Sequence, residues 1–403
     1  MSKLTATVIG AGIQGCMIAL QLDRLGHHVN LIDKNQDIYN RTSLNQEGKV
    51  HTGMIYALDE SHNTANKMIE DALQFAPIIE QLTQRRINWT SITSTPFTYL
   101  VDHKSLWSAD RLEEKYAIFQ KIFIDALKNH ELHYLGERPT HYYRQADLPK
   151  VFKQDGFQRC FISCEKAVDP SAIKDVLKNC IYSRSNIKVY LRHEVYGCLR
   201  HAAGFRTVSR NQERGDFKID SDIVINSTWE GKPLIDQLLG IENEQSWSVR
   251  LKLGFRVRQT VGIPLPTFVI VHGPFGDFVR FPRSGYEYLS WYPSCRIGHT
   301  SGSKIPTNWE DILGGSFDSI DIDKIKRDSA DAVGNLAPGI ELTIQDILAG
   351  TIVARGKEDI DVIGSELHHR SEEPIQSYDG YFSINTGKFT SAPNNARKLG
   401  QML

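Results

Sequence analysis

The sequence contains no apolar run near 18 residues, which excludes a membrane-crossing helix. It has six cysteines, at 16, 160, 164, 180, 198 and 295. None forms a C-x-x-C pair. This argues against a disulfide framework or a zinc site and for reduced, buried thiols. A surplus of one charge is missing too. Lys and Arg number 47 against 48 Asp and Glu, for a net charge of −1. Nothing in that balance calls for nucleic acid or a membrane surface. No internal repeat, coiled coil or low-complexity tract is present. Residues 1–9 lack the longer apolar region and small-residue cleavage site of a signal peptide. These absences predict a cytoplasmic protein without an integral membrane segment or a metal site.

The 403 residues, 40% hydrophobic and 24% charged, suit a globular chain of two domains. Thr5–Ile9 reads as a buried strand, Gly10–Gly15 as a turn, and Cys16–Leu25 as a helix ended by Gly26. Val29–Asp33 reads as a second strand. This βαβ opening implies a parallel sheet. A helix is expected over Asn63–Leu82, broken or kinked near Pro77. Others are expected over Ala109–Asn129, Pro170–Cys180 and Asp321–Val333. Ile187–Leu191 and Asp222–Asn226 read as strands. Arg250–Tyr292 alternates as an antiparallel sheet would. Tyr381–Leu403 reads as strand, glycine turn and helix. Nucleotide-fold signals at the start, middle and end thus enclose antiparallel signals, as two interleaved domains would.

Gly10-Ala11-Gly12-Ile13-Gln14-Gly15 fits G-x-G-x-x-G between a strand and a helix. Gly10 allows the tight turn, Gly12 lets backbone approach a pyrophosphate, and Gly15 lets helix and sheet pack closely. The phosphates would meet backbone N–H groups at the helix N-terminus. Asp33, at the end of the second strand, is placed to accept ribose hydroxyls. These features do not separate FAD from NAD, so an NAD-dependent dehydrogenase stays open here.

The run Thr42-Ser43-Leu44-Asn45-Gln46-Glu47-Gly48-Lys49-Val50-His51-Thr52-Gly53 resembles the flavin-contacting stretch of the D-amino-acid-oxidase-like FAD superfamily, which includes glycine oxidase, L-2-hydroxyglutarate dehydrogenase and glycerol-3-phosphate dehydrogenase. Val168-Asp169-Pro170 before a helix is similar to the hydroxyglutarate branch. Val195 falls where the family's Val meets adenine. Ile225-Asn226-Ser227-Thr228-Trp229 resembles an Asn-Ala-(Ala/Thr)-Gly turn, and Asn385-Thr386-Gly387-Lys388-Phe389-Thr390-Ser391 resembles the C-terminal flavin loop. Leu44 replaces a common Arg, and Trp229 and Thr386 each replace a Gly. The extra C-terminal domain of glycerol-phosphate dehydrogenases is missing.

The resemblance implies an α/β protein, a Rossmann-like FAD-binding domain with an interleaved antiparallel-sheet α+β substrate domain. The first is expected over 1–86, 152–240 and 343–403, the second over 87–151 and 241–342. It implies FAD held by Gly10, Gly12, Ile13, Gln14, Gly15, Asp33, Lys34, Thr42, Ser43, Asn45, Lys49, Val195, Ser227, Thr228, Gly387, Lys388, Phe389 and Thr390. The implied activity is FAD-dependent removal of a hydride from the C–H beside an OH or amine. The substrate is a small anionic metabolite, a 2-hydroxy acid or amino acid, and the electron acceptor is unknown. A non-catalytic flavoprotein remains an alternative, given Trp229.

For the chemistry, His51 is the candidate proton acceptor, since imidazole titrates near neutral pH; in related enzymes a His in this run bonds flavin covalently, so such a link is open. Lys388 is a candidate for holding a substrate anion or lying over the flavin. A helix after Thr390 or Ser391 as cap, with Pro393 in its first turn, could stabilise charge on reduced flavin. Arg250, Lys252, Arg256 and Arg258 share a strand face; such residues could line an anion pocket, but a stripe of this kind is more often a solvated outer face. Arg280 on the next hairpin is a further catalytic candidate, and Arg355 a weaker one. Tyr286, Tyr288, Trp291 and Tyr292 read as sheet-face packing. His368-His369 shows no metal-ligand pattern.

Overall fold

The computed structural model describes residues 3–202, 204–211, 213–242, 247–302 and 304–403. Its first sheet has the strand order 375–378, 381–384, 223–226, 5–9, 28–33, 187–191. All neighbours run parallel except Ile375–Tyr378, which pairs antiparallel with Tyr381–Ile384. Both faces are covered, as the near-continuous burial of Thr5–Ile9, Ile223–Asn226 and Tyr381–Ile384 requires. Ala6, Val8, Leu31 and Ile225 pack with the helices Ile13–Arg24, Asn63–Thr83 and Ala392–Met402. Ile9, Ile32 and Val224 face a three-stranded sheet, His193–His201, Gly204–Asn211 and Gly215–Ser221, through Val195, Cys198 and Phe205.

Local sequence explains the helix ends. Gly26 (φ +87) closes the first helix, and the next N–H, of His27, returns to the Leu22 carbonyl at 3.0 Å. Pro170 fills the first turn of Pro170–Tyr182, and the Asp169 side chain accepts the Ser171 N–H at 2.9 Å. Asn63–Thr83 departs from expectation. It continues as one helix through Pro77, with its apolar face buried against the core, so tertiary packing outweighs the lost N–H bond.

The second sheet runs 296–301, 247–261, 286–291, 276–281, 268–271, 98–102, 157–163, 143–146, with Glu341–Arg355 also paired to Trp247–Val261. It is antiparallel but for Phe268–Val271 beside Thr98–Asp102. Leu251, Leu253, Phe255, Phe278 and Leu289 line its core beneath the helices Thr307–Leu313 and Ile322–Leu336. Sheet membership shifts two of the expected boundaries. Phe157–Ser163 and Glu341–Arg355 belong to this sheet, so residues after 152 and after 343 remain in it for one more strand. Long-range strand pairing overrides a division drawn from local signals.

Among the described residues no helix is long and apolar enough to cross a membrane, and no His, Cys, Asp and Glu group could hold a metal ion. The six cysteines are free.

Candidate active site

The carboxyl ends of Thr5–Ile9 and His28–Asp33 open onto a cavity whose far wall is the second sheet. Its volume, about 400 Å³, lies within the roughly 300–1,000 Å³ of small-molecule sites.

The glycine loop forms one end. Gly10 holds φ +96, and a Cβ there would lie 2.7 Å from the Ser227 carbonyl oxygen. At Gly15 a Cβ would lie 1.8 Å from the Gly10 carbonyl oxygen. Only glycine permits this approach of helix to turn. The Asp33 carboxylate accepts the Ala11 N–H at 2.6 Å and the Asn35 N–H at 2.8 Å. It thereby fixes the loop, with the Asn35 side-chain amide donating to the same carboxylate at 2.7 Å, and lines the cavity. The Ser43 hydroxyl accepts the Ile13 N–H at 2.9 Å. Gly12, Gln14 and Val195 also line this end, whereas Gly15 lies behind it. Lys34 borders the cavity with its amine 2.8 Å from Glu310.

The Thr42–Asn45 segment is pinned to the second sheet. Thr42 accepts the Thr351 N–H at 2.9 Å, and the Asn45 amide donates to the Ala349 carbonyl at 2.9 Å. Lys49 is 4% exposed and pairs with fully buried Glu165 at 3.0 Å, over the Phe97 ring. Its charge is committed within the protein. Ser227 donates to the Ile9 carbonyl, Thr228 to the Asn226 side chain. Trp229 sits at φ +57, the left-handed region that suits glycine, and its indole donates to the Thr351 carbonyl at 3.2 Å.

At the other end stand His51, Gly387, Lys388 and Phe389. The His51 ring is buried, lies 5.6 Å from the Tyr56 ring, and leaves Nδ1 without a hydrogen-bond partner. Burial, then Lys388, Lys49 and Arg370, hold its pKa well below the usual histidine value. The expectation of a histidine titrating near neutrality is therefore corrected: His51 is neutral. Lys388 is the group brought into that range. Burial and then Arg370 push its amine down to about 7. Among the described residues its amine has no hydrogen-bond partner, lying only 5.9 Å from the Tyr56 ring centroid.

The capping expectation also changes. The Thr390 hydroxyl accepts the His51 N–H at 2.9 Å, and no side chain caps the Ala392–Met402 helix, although Pro393 is in its first turn. Thr390 thus sits behind the wall and supports His51.

Arg280 is not in this cavity. It lines a separate shallow depression with Thr95, Pro266 and Pro282, 3.9 Å from Glu287. The pleat is the reason: Asp277 lies an odd number of residues from Arg280, and it is Asp277 that faces the cavity. Arg355 pairs with Glu372 at 2.9 Å. The basic stripe is solvated only toward its end, where Arg258 is exposed. Arg250 is 0% exposed and bound to Asp359 at 3.0 Å, and Lys252 lines the cavity 3.8 Å from Asp277.

Sequence reasoning missed Glu47, Tyr56, Asp277 and Arg370 as cavity residues, and set Lys252 and Tyr288 aside as solvated face and sheet packing although both line the cavity. Burial pushes the Asp277 carboxyl up to about 6. Burial also raises that of Glu47, but Lys252 and Lys388 outweigh it and leave Glu47 below its ordinary value. The even spacing of Lys252 with Arg250 was the one available signal. Glu47 stood inside the motif unremarked.

The model of the family described as FAD dependent oxidoreductase matches residues 5–371. No curated protein matches by sequence. Among solved structures, L-α-glycerophosphate oxidase from Mycoplasma pneumoniae with FAD bound is similar at TM-score 0.66 and 13% identity, covering 100% of this chain and 95% of that one. Glycine oxidase from Geobacillus kaustophilus is similar at 0.63 and 12%, covering 100% and 94%. Glycerol-3-phosphate dehydrogenase from Bacillus halodurans complexed with FAD is similar at 0.55 and 16%; all of this chain is covered, but it spans only 64% of that protein.

Proposed function

The chain belongs to the FAD-dependent oxidoreductase family, and from that premise we propose that it oxidises the C–H beside a hydroxyl or amine of a small carboxylate-bearing metabolite. FAD is the cofactor of the family, which sets the NAD-dependent alternative aside. The residues present fit that cofactor. At Gly10 and Gly15 a Cβ would collide with backbone, and the loop they form opens into the cavity. Asp33, Thr42, Ser43, Asn45, Val195, Ser227, Thr228, Gly387 and Phe389 would hold it. Bound FAD supplies the two-electron acceptor that takes the hydride.

The chain's own residues do the rest. Lys388, with its amine near pH 7, takes the proton that leaves the substrate hydroxyl or amine as the C–H bond is oxidised to a carbonyl or imine. A base at that value is half neutral near pH 7. His51, held neutral, uses Nδ1 to position the reacting group. The Arg370 guanidinium, which spends one N–H on the Val353 carbonyl at 2.8 Å and leaves Nε unpaired, receives the carboxylate. The observation that carries the reading is the meeting of the glycine loop, His51, Lys388 and Arg370 in one cavity. Its test is the absorbance spectrum of purified protein before and after anaerobic addition of hydroxy acids and amino acids. Flavin bands should bleach with a member of the panel. Protein that carries no flavin and takes none up would end the reading.

A further inference from the structure

The helix Thr307–Leu313 is built into the second sheet. Trp309, Ile312 and Leu313 are buried in that sheet's core. The Trp309 ring lies where a side chain at residue 298 would be, so Gly298 leaves the helix a seat on strand Arg296–Ser301. Glu310, next to Trp309, reaches to the first sheet instead. Its two carboxylate oxygens pair with the Lys34 amine at 2.8 Å and with Arg41 Nη2 at 2.6 Å. Arg41 also donates from Nε to the Asn35 side chain at 2.9 Å. Glu230 lies 3.6 Å from Arg41 Nη1 and accepts the Thr351 hydroxyl at 3.2 Å. Lys34 follows strand His28–Asp33, and Glu230 follows Ile223–Asn226. Through Glu310 and Thr351 the ends of both strands are therefore tied to the second sheet.

Lys34, Asn35, Arg41, Glu230 and Thr351 line the cavity, and Glu310 bridges the first and third of them from outside its wall. Two observations set this network apart from an ordinary surface pair. Arg41 holds φ +50, the left-handed region that costs any residue but glycine. Its Nη1 is buried and has no hydrogen-bond partner, so a guanidinium in the cavity wall keeps N–H groups for an anion. A dinucleotide brings one, its diphosphate. As a contribution to folding the network is slight. Lys34 and Glu310 are each 37% exposed, and ion pairs so exposed add little.

We propose that Arg41 is a cofactor-binding residue and that Glu310 positions it, so that the helix 307–313 latches the second sheet over the dinucleotide and sets how fast FAD leaves. This rests on FAD as the cofactor and is independent of the substrate. Opening the latch releases two ion pairs to water, which salt favours.

The experiment follows release of FAD from the loaded protein by spin filtration, reading the flavin absorbance that stays with the protein over time. Release should quicken about five- to tenfold between about 0.05 M and about 0.5 M salt, as the network is screened. At low salt Glu310→Gln should release FAD about five- to tenfold faster than wild type and lose most of the salt response. Arg41→Gln should release it faster still. Adding Glu310→Gln to that variant should change the rate by less than about twofold, because Glu310 acts through Arg41. The unfolding midpoint of the flavin-free protein should be the same in wild type and Glu310→Gln, which a merely structural contact would not allow. Release that ignores salt, a Glu310→Gln rate within about twofold of wild type, or additive effects in the double variant overturns the proposal. Protein that takes up no FAD overturns it together with the oxidoreductase reading. FAD that is released as expected but bleached by no metabolite leaves it standing and defeats that reading alone.

Discussion

Lys388 sits where burial and neighbouring positive charge both oppose protonation, and its amine is lowered to about 7. The protonated amine cannot accept a proton, so flavin reduction should fall as the pH drops below about 7 and level off above it. Lys388→Met should slow anaerobic flavin reduction by about 100-fold or more, the range of a lost general base, and abolish that acid limb. A limb that survives in the variant would assign the titration elsewhere. His51→Asn should leave the limb in place and lower only the plateau, since His51 stays neutral across the range; stopped-flow rates from pH 6 to 9 decide this. What the sequence could show of these residues depended on how local their placement is. His51 and Lys388 lie in short runs beside strands, so motif order places them at one end of a sheet. Asp277, Lys252 and Arg370 meet only through strand pairing across the second sheet and the segment that follows it, and no local pattern reports that. Arg280 shows the opposite error, a suggestive side chain on the wrong side of the pleat. At Trp229 the backbone keeps a glycine-like conformation that the residue type conceals.

Elements were more legible than side chains, because hydrophobic period and end signals are local. The Ile13–Arg24 helix carries both, and its glycines are a matter of steric space. Gly15→Ala would set a methyl 1.8 Å from the Gly10 carbonyl oxygen, a contact with backbone that cannot swing away. The variant should lose roughly 1–3 kcal/mol of stability and most of its bound flavin, read by the midpoint of chemical unfolding and by the ratio of flavin to protein absorbance. Gly334 gives the contrast. It lies inside Ile322–Leu336 with nothing within 4 Å of a Cβ there and no positive φ. Gly334→Ala should therefore stabilise by about 0.5–1 kcal/mol through helix propensity and leave flavin content unchanged. A stabilised Gly15→Ala, or a destabilised Gly334→Ala, would contradict this account of the two helices. The element-level failures have a common cause. Pro77 was expected to break or kink a helix that runs on unbroken because its apolar face is buried, and strands 157–163 and 341–355 join the second sheet through partners 55 to 108 residues away in sequence.

On the scale of the whole molecule, an apolar core runs through both sheets, and a polar contact behind the cavity ties the His51 segment to the second sheet. Glu165, just after Phe157–Ser163, is 0% exposed; it pairs with Lys49 at 3.0 Å, accepts the Thr52 hydroxyl at 2.9 Å and accepts the Tyr99 hydroxyl from the second sheet. Lys49 and Thr52 flank His51, so the segment that carries the imidazole is held by a carboxylate anchored beside the second sheet. A buried pair is weak evidence of net stabilisation, yet removing one partner leaves an unmatched charge that costs about 3–5 kcal/mol. Glu165→Ala should therefore lower the unfolding free energy by about that amount, with both sheets affected in a single transition. Far-UV circular dichroism and flavin fluorescence should shift their denaturant midpoints together. The double variant Lys49→Met, Glu165→Leu removes both charges and refills the space with apolar groups, and it should recover most of the loss. If Glu165→Ala costs less than about 1 kcal/mol, the pair is solvated and does not join the sheets. If the two probes separate, the sheets unfold independently and the coupling through Lys49 and Thr52 is absent.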